Sequence, residues 1–194
     1  MESLAADAHQ DGSAAVLVTG PLGSGKTSVA TEVAFLLERQ GVRNAVVDLD
    51  WLCGVGPDLG SERLAALLHD NVRALVARFR VEGIERFVLS HSVQSTSEVA
   101  RLRDAVAPAR LTVVRLEVSA EVAADRVRRR APADSLVTAH DLSEQEALWD
   151  AATLLEADVV VRNDDDRPLS AVAAGLLAEL AAVAPAQWAM PSGV

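Results

Sequence analysis

Gly20-Pro-Leu-Gly-Ser-Gly-Lys-Thr27 matches the phosphate-binding loop pattern G-x-x-x-x-G-K-[ST] in full. Glycines in such a loop let successive backbone N–H groups turn inward around phosphate oxygens. The side chain of Lys26 would add positive charge beside the β- and γ-phosphates of a nucleotide, and the Thr27 hydroxyl is a suitable ligand for Mg²⁺. We therefore predict a nucleoside-triphosphate site whose contacts come from Gly20, Pro21, Leu22, Gly23, Ser24, Gly25, Lys26, Thr27 and Ser28.

The residues on either side of this loop support the same interpretation. Ala14–Thr19 is a short apolar run that is typical of a buried strand. After the loop, Val29 and Val33 begin an apolar pattern at helical spacing, and Gly41 ends it. A strand, a glycine loop and a helix thus occur in the order that a phosphate site requires. This order disfavours the alternative of a glycine turn that binds no ligand.

Composition and charge limit the classes of function. The chain has 194 residues, of which 50% are hydrophobic, so we expect one packed domain of ordinary size. Its formal net charge of −10 opposes long-range capture of DNA or RNA, which normally requires a basic face. Cys53 is the only cysteine, so no internal disulfide can form. The first residues do not resemble a signal peptide and no apolar run is long enough to cross a membrane, so we expect a cytoplasmic protein without nucleic-acid or membrane partners.

Short apolar runs alternate with longer amphipathic segments along the chain, which predicts a parallel sheet with helices on both faces. We expect a single domain over residues 14–184, a disordered tail over residues 1–13 and a flexible tail over residues 185–194. Four strands are predicted after the first one, over residues 44–47, 84–90, 111–118 and 158–161.

Two carboxylates, Asp48 and Asp50, follow the second predicted strand. Ligands of open α/β sheets bind beyond the carboxyl ends of the strands, so both acids should lie near the phosphate loop. Because strand side chains alternate, the two would point the same way if the strand extends that far. One carboxylate would order the Mg²⁺ shell and the other would accept a proton from a substrate hydroxyl. The alternative is a pair of solvated turn acids that cap the next loop.

The chain resembles the small P-loop kinases related to nucleotide kinases, particularly the adenylylsulfate, gluconate and shikimate kinase-like branch. The likeness runs from about Val16 to Leu180, and the phosphate loop is its specific element. It implies an α/β three-layer sandwich with a five-stranded parallel sheet in the order 2-3-1-4-5, the P-loop NTPase fold. It also implies that Asp50 contacts the acceptor hydroxyl as base, with Asp48 at the first position of a D-x-D pattern.

A basic cluster follows the fourth strand. Arg126 and Arg130 are four residues apart and share a helix face, with Arg129 close to it. In the kinases that the chain resembles, a mobile lid supplies arginines that neutralise charge on the transferred phosphate. The resemblance therefore implies a short lid over about residues 128–141, with Arg126 and Arg130 catalytic and Arg129 in contact with the nucleotide. The alternative is a solvated, basic helix end.

Several other residues near the predicted sheet edge are candidates for the site. The third strand ends in Ser90-His91-Ser92 without an acid, so Asp48 would have to substitute as the Mg²⁺-directed carboxylate together with Thr27. His91 is more often a satisfied loop histidine than a base. Trp51 would form a pocket wall or pack on the domain, and Asn163 would contact the adenine or cap a turn.

These observations lead to one main hypothesis and two rivals. The main one is an ATP- and Mg²⁺-dependent kinase that transfers the γ-phosphate to a hydroxyl of a small molecule, whose identity the sequence leaves open. The first rival is a regulatory nucleotide-binding ATPase module without a small-molecule acceptor. The second, a nucleic-acid end kinase, conflicts with the acidic net charge. The oligomeric state also stays open.

Overall fold

A five-stranded sheet in which all strands run parallel forms the centre of the molecule. The computed structural model describes residues 12–53, 55, 59–130, 143, 149–164 and 167–189. The strands are β1 (Ala14–Thr19), β2 (Asn44–Asp48), β3 (Arg86–Ser90), β4 (Arg110–Glu117) and β5 (Val159–Arg162). Their order across the sheet, β2-β3-β1-β4-β5, confirms the predicted order.

Helices connect these strands and cover the sheet. They are α1 (Lys26–Arg39), α2 (Ser61–Val81), α3 (Thr96–Val106), α4 (Ala120–Arg130), α5 (Leu169–Val183) and α6 (Pro185–Trp188), and residues 149–154 are also helical. A 3₁₀ turn over Leu49–Trp51 follows β2 directly. Within the described part of the chain, no helix combines the length and the apolar character needed to cross a bilayer.

Two hydrophobic cores lie on opposite faces of the sheet, because the side chains of a strand alternate between its faces. In β1, Val16 and Val18 belong to the core that α1 and α5 cover, whereas Leu17 belongs to the core beneath α2 and α3. All six residues of β1 are buried, as expected for the central strand of a sheet that is covered on both sides. The predicted three-layer α/β sandwich is therefore confirmed.

The carboxyl ends of β1, β2 and β3 meet at one edge of the sheet. The phosphate loop begins at Gly20, directly after β1, and Asp48 ends β2. Ser90, the last residue of β3, is paired in register with both Val18 and Asp48. His91 follows and donates its backbone N–H to the Val18 carbonyl at 3.2 Å. This edge therefore brings together the residues from which a site can be built.

Three details differ from the sequence-based expectations. The strand β2 ends at Asp48 and Asp50 lies in the following 3₁₀ turn, so the strand does not extend far enough for side-chain alternation to align the two carboxylates. The predicted flexible C-terminal tail is wrong for α6, because Trp188 is only 2% exposed and completes the core beneath α1 and α5. Ser13 is buried rather than part of a disordered tail. Residues 131–141 of the predicted lid and residues 1–11 lie outside the described residues.

Candidate active site

The phosphate loop has the backbone conformation that its glycines predict. Gly23 and Gly25 have φ angles of 81° and 88°, in the left-handed region that side chains disfavour. Neighbouring groups also leave no room for a side chain. A Cβ at Gly23 would collide with the Ala123 carbonyl, and one at Gly25 would lie 2.6 Å from Asn163 Nδ2. Inside the loop, the buried Ser24 hydroxyl has no hydrogen-bond partner among the described residues. This crowded glycine backbone fits a phosphate group as ligand.

Lys26 opens α1 inside the loop and is 6% exposed. Its Nζ donates a hydrogen bond to the Pro21 carbonyl at 3.2 Å. Burial, together with the charge of Arg130, lowers the pKa of the Lys26 ammonium to about 8, although Asp50 and Asp48 oppose that shift. A buried cation whose one hydrogen-bond partner among the described residues is a carbonyl is costly, so an anionic ligand beside it would be strongly favoured.

The hydroxyl of Thr27 and the carboxylate of Asp48 are in direct contact. Thr27 Oγ1 donates to Asp48 Oδ2 at 2.7 Å, while Asp48 Oδ1 accepts the backbone N–H of Asp50 at 3.1 Å. Asp48 therefore acts as the cap of the 3₁₀ turn and also reaches the end of the phosphate loop. A hydroxyl and a carboxylate side by side are hard oxygen ligands of the kind that Mg²⁺ prefers, so these two residues fit the ion predicted for them.

Asp50 lies in a network with His91 and Glu98. His91 Nδ1 donates to Asp50 Oδ1 at 2.6 Å, and His91 Nε2 donates to Glu98 Oε1 at 3.1 Å. Burial alone would lower the pKa of His91, but hydrogen bonds and charge from the two carboxylates raise it to about 9, so the imidazole carries a proton at neutral pH.

The two carboxylates respond in the opposite direction. Burial raises the pKa of Asp50, but the His91 hydrogen bond and the charges of His91, Lys26 and Arg130 outweigh it and hold the pKa below its ordinary value. The pKa of Glu98 is also lowered, because His91 and the Gln94 N–H outweigh burial. Sequence reasoning missed Glu98, although Ser95 and Glu98 have capping-box spacing that would have placed this acid at the start of a helix.

A pocket of about 710 Å³ opens beside this network, a volume suited to a small-molecule ligand. Its apolar side comes mainly from α2, and its polar side comes from the ends of β2 and β3 and the start of α3. The residues that line it are Leu49, Asp50, Cys53, Ser61, Glu62, Leu64, Ala65, Leu68, His91, Ser92, Gln94, Ser95, Glu98 and Arg101.

The arginines of α4 differ in where their side chains go. Arg126 donates from Nη1 to the Gly23 carbonyl at 3.3 Å, so it lies against the phosphate loop. The charge of Arg130 acts on the pKa of both Lys26 and Asp50. Arg129 instead forms an ion pair with Asp125 one turn earlier, and its side chain is 71% exposed. Two of the three predicted arginines are thus close to the candidate site.

Asn163 is buried directly behind the phosphate loop. Its Nδ2 donates to the Ser24 carbonyl at 2.7 Å, and its backbone N–H donates to the Glu117 carbonyl at 2.8 Å. The residue therefore supports the loop from the end of β5. Contact between Asn163 and an adenine base, as predicted from the sequence, stays a prediction.

The remaining candidates lie at the rim or in the core. Trp51 is 86% exposed, whereas Leu52 and Cys53 are partly buried against the core beneath α2 and α3. Ser90 is buried at the end of β3, and Ser92 lines the pocket. The alternative in which Trp51 packs on the domain therefore does not describe this residue.

Comparison with protein-family models and with curated proteins gave no match. Comparison with solved structures gave many. The chain is similar to a gluconokinase from Sinorhizobium meliloti 1021, with 26% identity over 89% of this chain and 94% of that chain and a TM-score of 0.60. It is similar to a sugar kinase from Janibacter sp. HTCC2649, with 23% identity over 90% and 98% of the two chains and a TM-score of 0.62.

A third similar structure is the APS kinase CysC of Mycobacterium tuberculosis in complex with AMPPNP and APS, with 22% identity over 87% and 97% of the two chains and a TM-score of 0.59. The likenesses below 25% identity show the fold. Together with the complete phosphate loop and the sheet order, the likeness to the gluconokinase at 26% identity places the chain in the P-loop small-molecule kinase superfamily.

Proposed function

We propose that the protein is an ATP-dependent phosphotransferase that transfers the γ-phosphate to a hydroxyl group of a small molecule. One observation carries this proposal. The carboxylate of Asp50 lines the pocket of about 710 Å³ and lies close enough to Lys26 of the phosphate loop for each to affect the other's pKa. A donor-phosphate site and a pocket for an acceptor therefore share a sheet edge, as phosphoryl transfer requires.

Each part of the site would have a distinct role. The loop amides and Lys26 would bind the phosphates of ATP, and Thr27 with Asp48 would hold Mg²⁺. The ion, when bound, offsets negative charge on the phosphates. Arg126 and Arg130 would contribute further positive charge beside the loop, whereas the exposed Arg129, paired with Asp125, would contribute little to nucleotide binding.

Asp50 would orient the acceptor hydroxyl. The hydroxyl oxygen forms a bond to the γ-phosphorus, the bond from that phosphorus to the β–γ bridging oxygen breaks, and the hydroxyl proton passes to the Asp50 carboxylate. Since the pKa of Asp50 is held below its ordinary value, Asp50 is a weak base before the reaction begins. Orientation of the hydroxyl is therefore its main contribution, and proton transfer follows as the new bond forms.

The form of the pocket limits the acceptor. One side is apolar, from Leu64, Ala65 and Leu68, and the other side carries hydroxyl, amide and carboxylate groups. This lining supports a hydroxylated molecule with an apolar face. Gluconate, shikimate and adenylylsulfate belong in the test panel because proteins of similar structure include kinases named for these compounds or for sugars.

The direct test measures ADP release from ATP and Mg²⁺ against a panel of hydroxyl compounds, with mass spectrometry of the phosphorylated product. We expect Lys26→Ala to abolish transfer and Asp50→Asn to lower kcat by about 100-fold or more, as loss of a positioning group does. Asp104→Asn, an exposed acid on α3, is the matched control and should keep full activity. Full transfer by Asp50→Asn would overturn the role of Asp50. ATP binding without any phosphorylated product across the panel would overturn the transferase and favour the regulatory ATPase module.

A further inference from the structure

The Asp50 carboxylate is held by one of its oxygens only. Its Oδ1 accepts the 2.6 Å hydrogen bond from His91, while its Oδ2 accepts no hydrogen bond from the described residues. We propose that His91, held in place by Glu98, is a positioning residue that fixes one oxygen of Asp50 and leaves the other for the acceptor hydroxyl. This inference rests on the phosphotransferase function proposed above.

The backbone of His91 is itself fixed. Its N–H donates to the Val18 carbonyl in the central strand β1, and two residues later the N–H of Val93 donates to Thr19 Oγ1 at 3.1 Å. The segment after β3 is therefore bound to the strand that carries the phosphate loop. A side chain on this segment is therefore held near the loop, which is what a positioning residue needs.

Glu98 is equally constrained, because its position at the start of α3 uses both of its oxygens. Oε1 accepts the hydrogen bond from His91, and Oε2 accepts the backbone N–H of Gln94 at 3.1 Å. The N–H of Glu98 in turn donates to Ser95 Oγ at 3.2 Å, so Ser95 caps the start of α3. Rotation of the Glu98 carboxylate would break its bonds to His91 Nε2 and to the Gln94 N–H, so it holds the imidazole from the side opposite Asp50.

The location of this network points to a role in the reaction rather than in folding alone. Asp50, His91 and Glu98 all line the pocket of about 710 Å³. The side chain of His91 is only 16% exposed, so a charged imidazole there depends on both carboxylates. A contact that served only to hold α3 against the sheet would not need to end on a carboxylate that lines the pocket and whose charge also acts on Lys26.

Two amide replacements separate the two halves of the network. The Nδ2 of asparagine occupies about the place of the histidine Nδ1, whereas the Nε2 of glutamine occupies about the place of the histidine Nε2. His91→Asn therefore keeps a donor for Asp50 and loses the one for Glu98. His91→Gln keeps a donor for Glu98 and loses the one for Asp50. The alternative role, in which His91 only anchors α3, predicts that His91→Gln is the milder change.

The experiment measures kcat, KM for both substrates and the melting temperature for the wild type, His91→Asn, His91→Gln and His91→Ala. We expect His91→Asn to keep kcat within about threefold, and His91→Gln and His91→Ala to lose about 10- to 100-fold in kcat, the scale of a misplaced reactive group. KM for ATP should stay within about twofold in all three, because the phosphate loop is not changed.

The outcomes separate this inference from the proposed function. If the wild type shows no acceptor-dependent transfer, the proposed function fails and this inference fails with it. If the wild type transfers phosphate but His91→Gln equals or exceeds His91→Asn in kcat, the inference alone is overturned. Losses of kcat that follow the melting temperature equally in all three variants would also overturn it, because they would show a structural role only.

Discussion

The side-chain amide of Asn163 donates a 2.7 Å hydrogen bond to the backbone carbonyl of Ser24, 139 residues earlier in the chain. The same nitrogen lies so close to Gly25 that a Cβ there would approach it to 2.6 Å. Asn163 therefore fixes the shape of the phosphate loop from behind, while the loop glycine leaves the space that Asn163 needs. This contact links the end of β5 to the donor-phosphate site.

We expect Asn163→Ala to lower the affinity for ATP and for GTP by the same factor, about 5- to 150-fold, because it leaves the buried Ser24 carbonyl without its partner at a cost of about 1–3 kcal/mol. Isothermal titration calorimetry with both nucleotides measures the two affinities. Asn163→Asp, which has the same shape but no donor, should be at least as damaging. A loss confined to ATP would contradict the supporting role and would favour the adenine contact predicted from the sequence.

Arg126 and Arg129 form a natural matched pair on α4. Arg126 contacts the Gly23 carbonyl, whereas Arg129 is exposed and paired with Asp125. We expect Arg126→Ala to lower kcat/KM for ATP by about tenfold or more, since a guanidinium beside the phosphates stabilises developing charge. Arg129→Ala should change it by about twofold at most, because exposed ion pairs contribute little. Steady-state kinetics at fixed ionic strength measures both values, and an equal loss in the two variants would contradict this assignment.

Gly23 and Gly41 separate backbone strain from collision. Both have positive φ, at 81° and 73°, but a Cβ at Gly23 would meet the Ala123 carbonyl of α4, whereas a Cβ at Gly41 would meet nothing within 4 Å. We expect Gly41→Ala to cost about 1 kcal/mol in the free energy of unfolding, from the backbone conformation alone.

Gly23→Ala should cost clearly more than Gly41→Ala and should also weaken ATP binding, because the loop and α4 must move apart. Urea unfolding gives the two free energies, and titration with ATP gives the affinity. Equal destabilisation by the two substitutions would contradict this prediction, because it would mean that α4 can move away from the loop without a measurable cost.

Local patterns in the sequence were sufficient to predict the strands of the sheet and the phosphate loop. Ala14–Thr19 is apolar at every position except its last, which is typical of a strand buried on both sides, and the loop pattern follows it directly. The strand order came from resemblance and was confirmed. The strands and the loop depend on residues that are adjacent in the sequence, and the strand order is the one typical of chains that carry this glycine loop.

The candidate acceptor site depends on contacts that local patterns do not contain. The hydrogen bond between Asp50 and His91 joins residues 41 positions apart, and it arises only because β2 and β3 are neighbours and both end there. The alternation of strand side chains does not extend to Asp50, because the Asp48 carboxylate accepts a hydrogen bond from the Asp50 N–H and the chain forms a 3₁₀ turn there. The burial of Trp188 was missed for a similar reason. Two prolines and a glycine nearby suggested a frayed end, whereas Trp188 packs into the core beneath α1 and α5, which is formed by residues far away in the sequence.

The charged network around His91 should make stability depend on pH in a defined direction. The pKa of His91 is raised from 6.5 to about 9 in the folded chain, so the folded state binds more protons than the unfolded state between these values. The stabilisation from His91 is therefore complete below about pH 6.5 and is lost as the pH rises through about 9. Lys26 acts in the opposite direction, because its lowered pKa of about 8 makes stability rise between about pH 8 and 10.5. The quantity to measure is therefore a difference in the free energy of unfolding between two chains that both retain Lys26.

Urea unfolding of the wild type and of His91→Asn at about pH 6 and about pH 9.5 gives this difference, which should be large at the lower pH and small at the higher one. Asp104→Asn should show the same small difference from the wild type at both values, and a His91→Asn difference that stays constant or grows with pH would contradict a protonated histidine between two carboxylates.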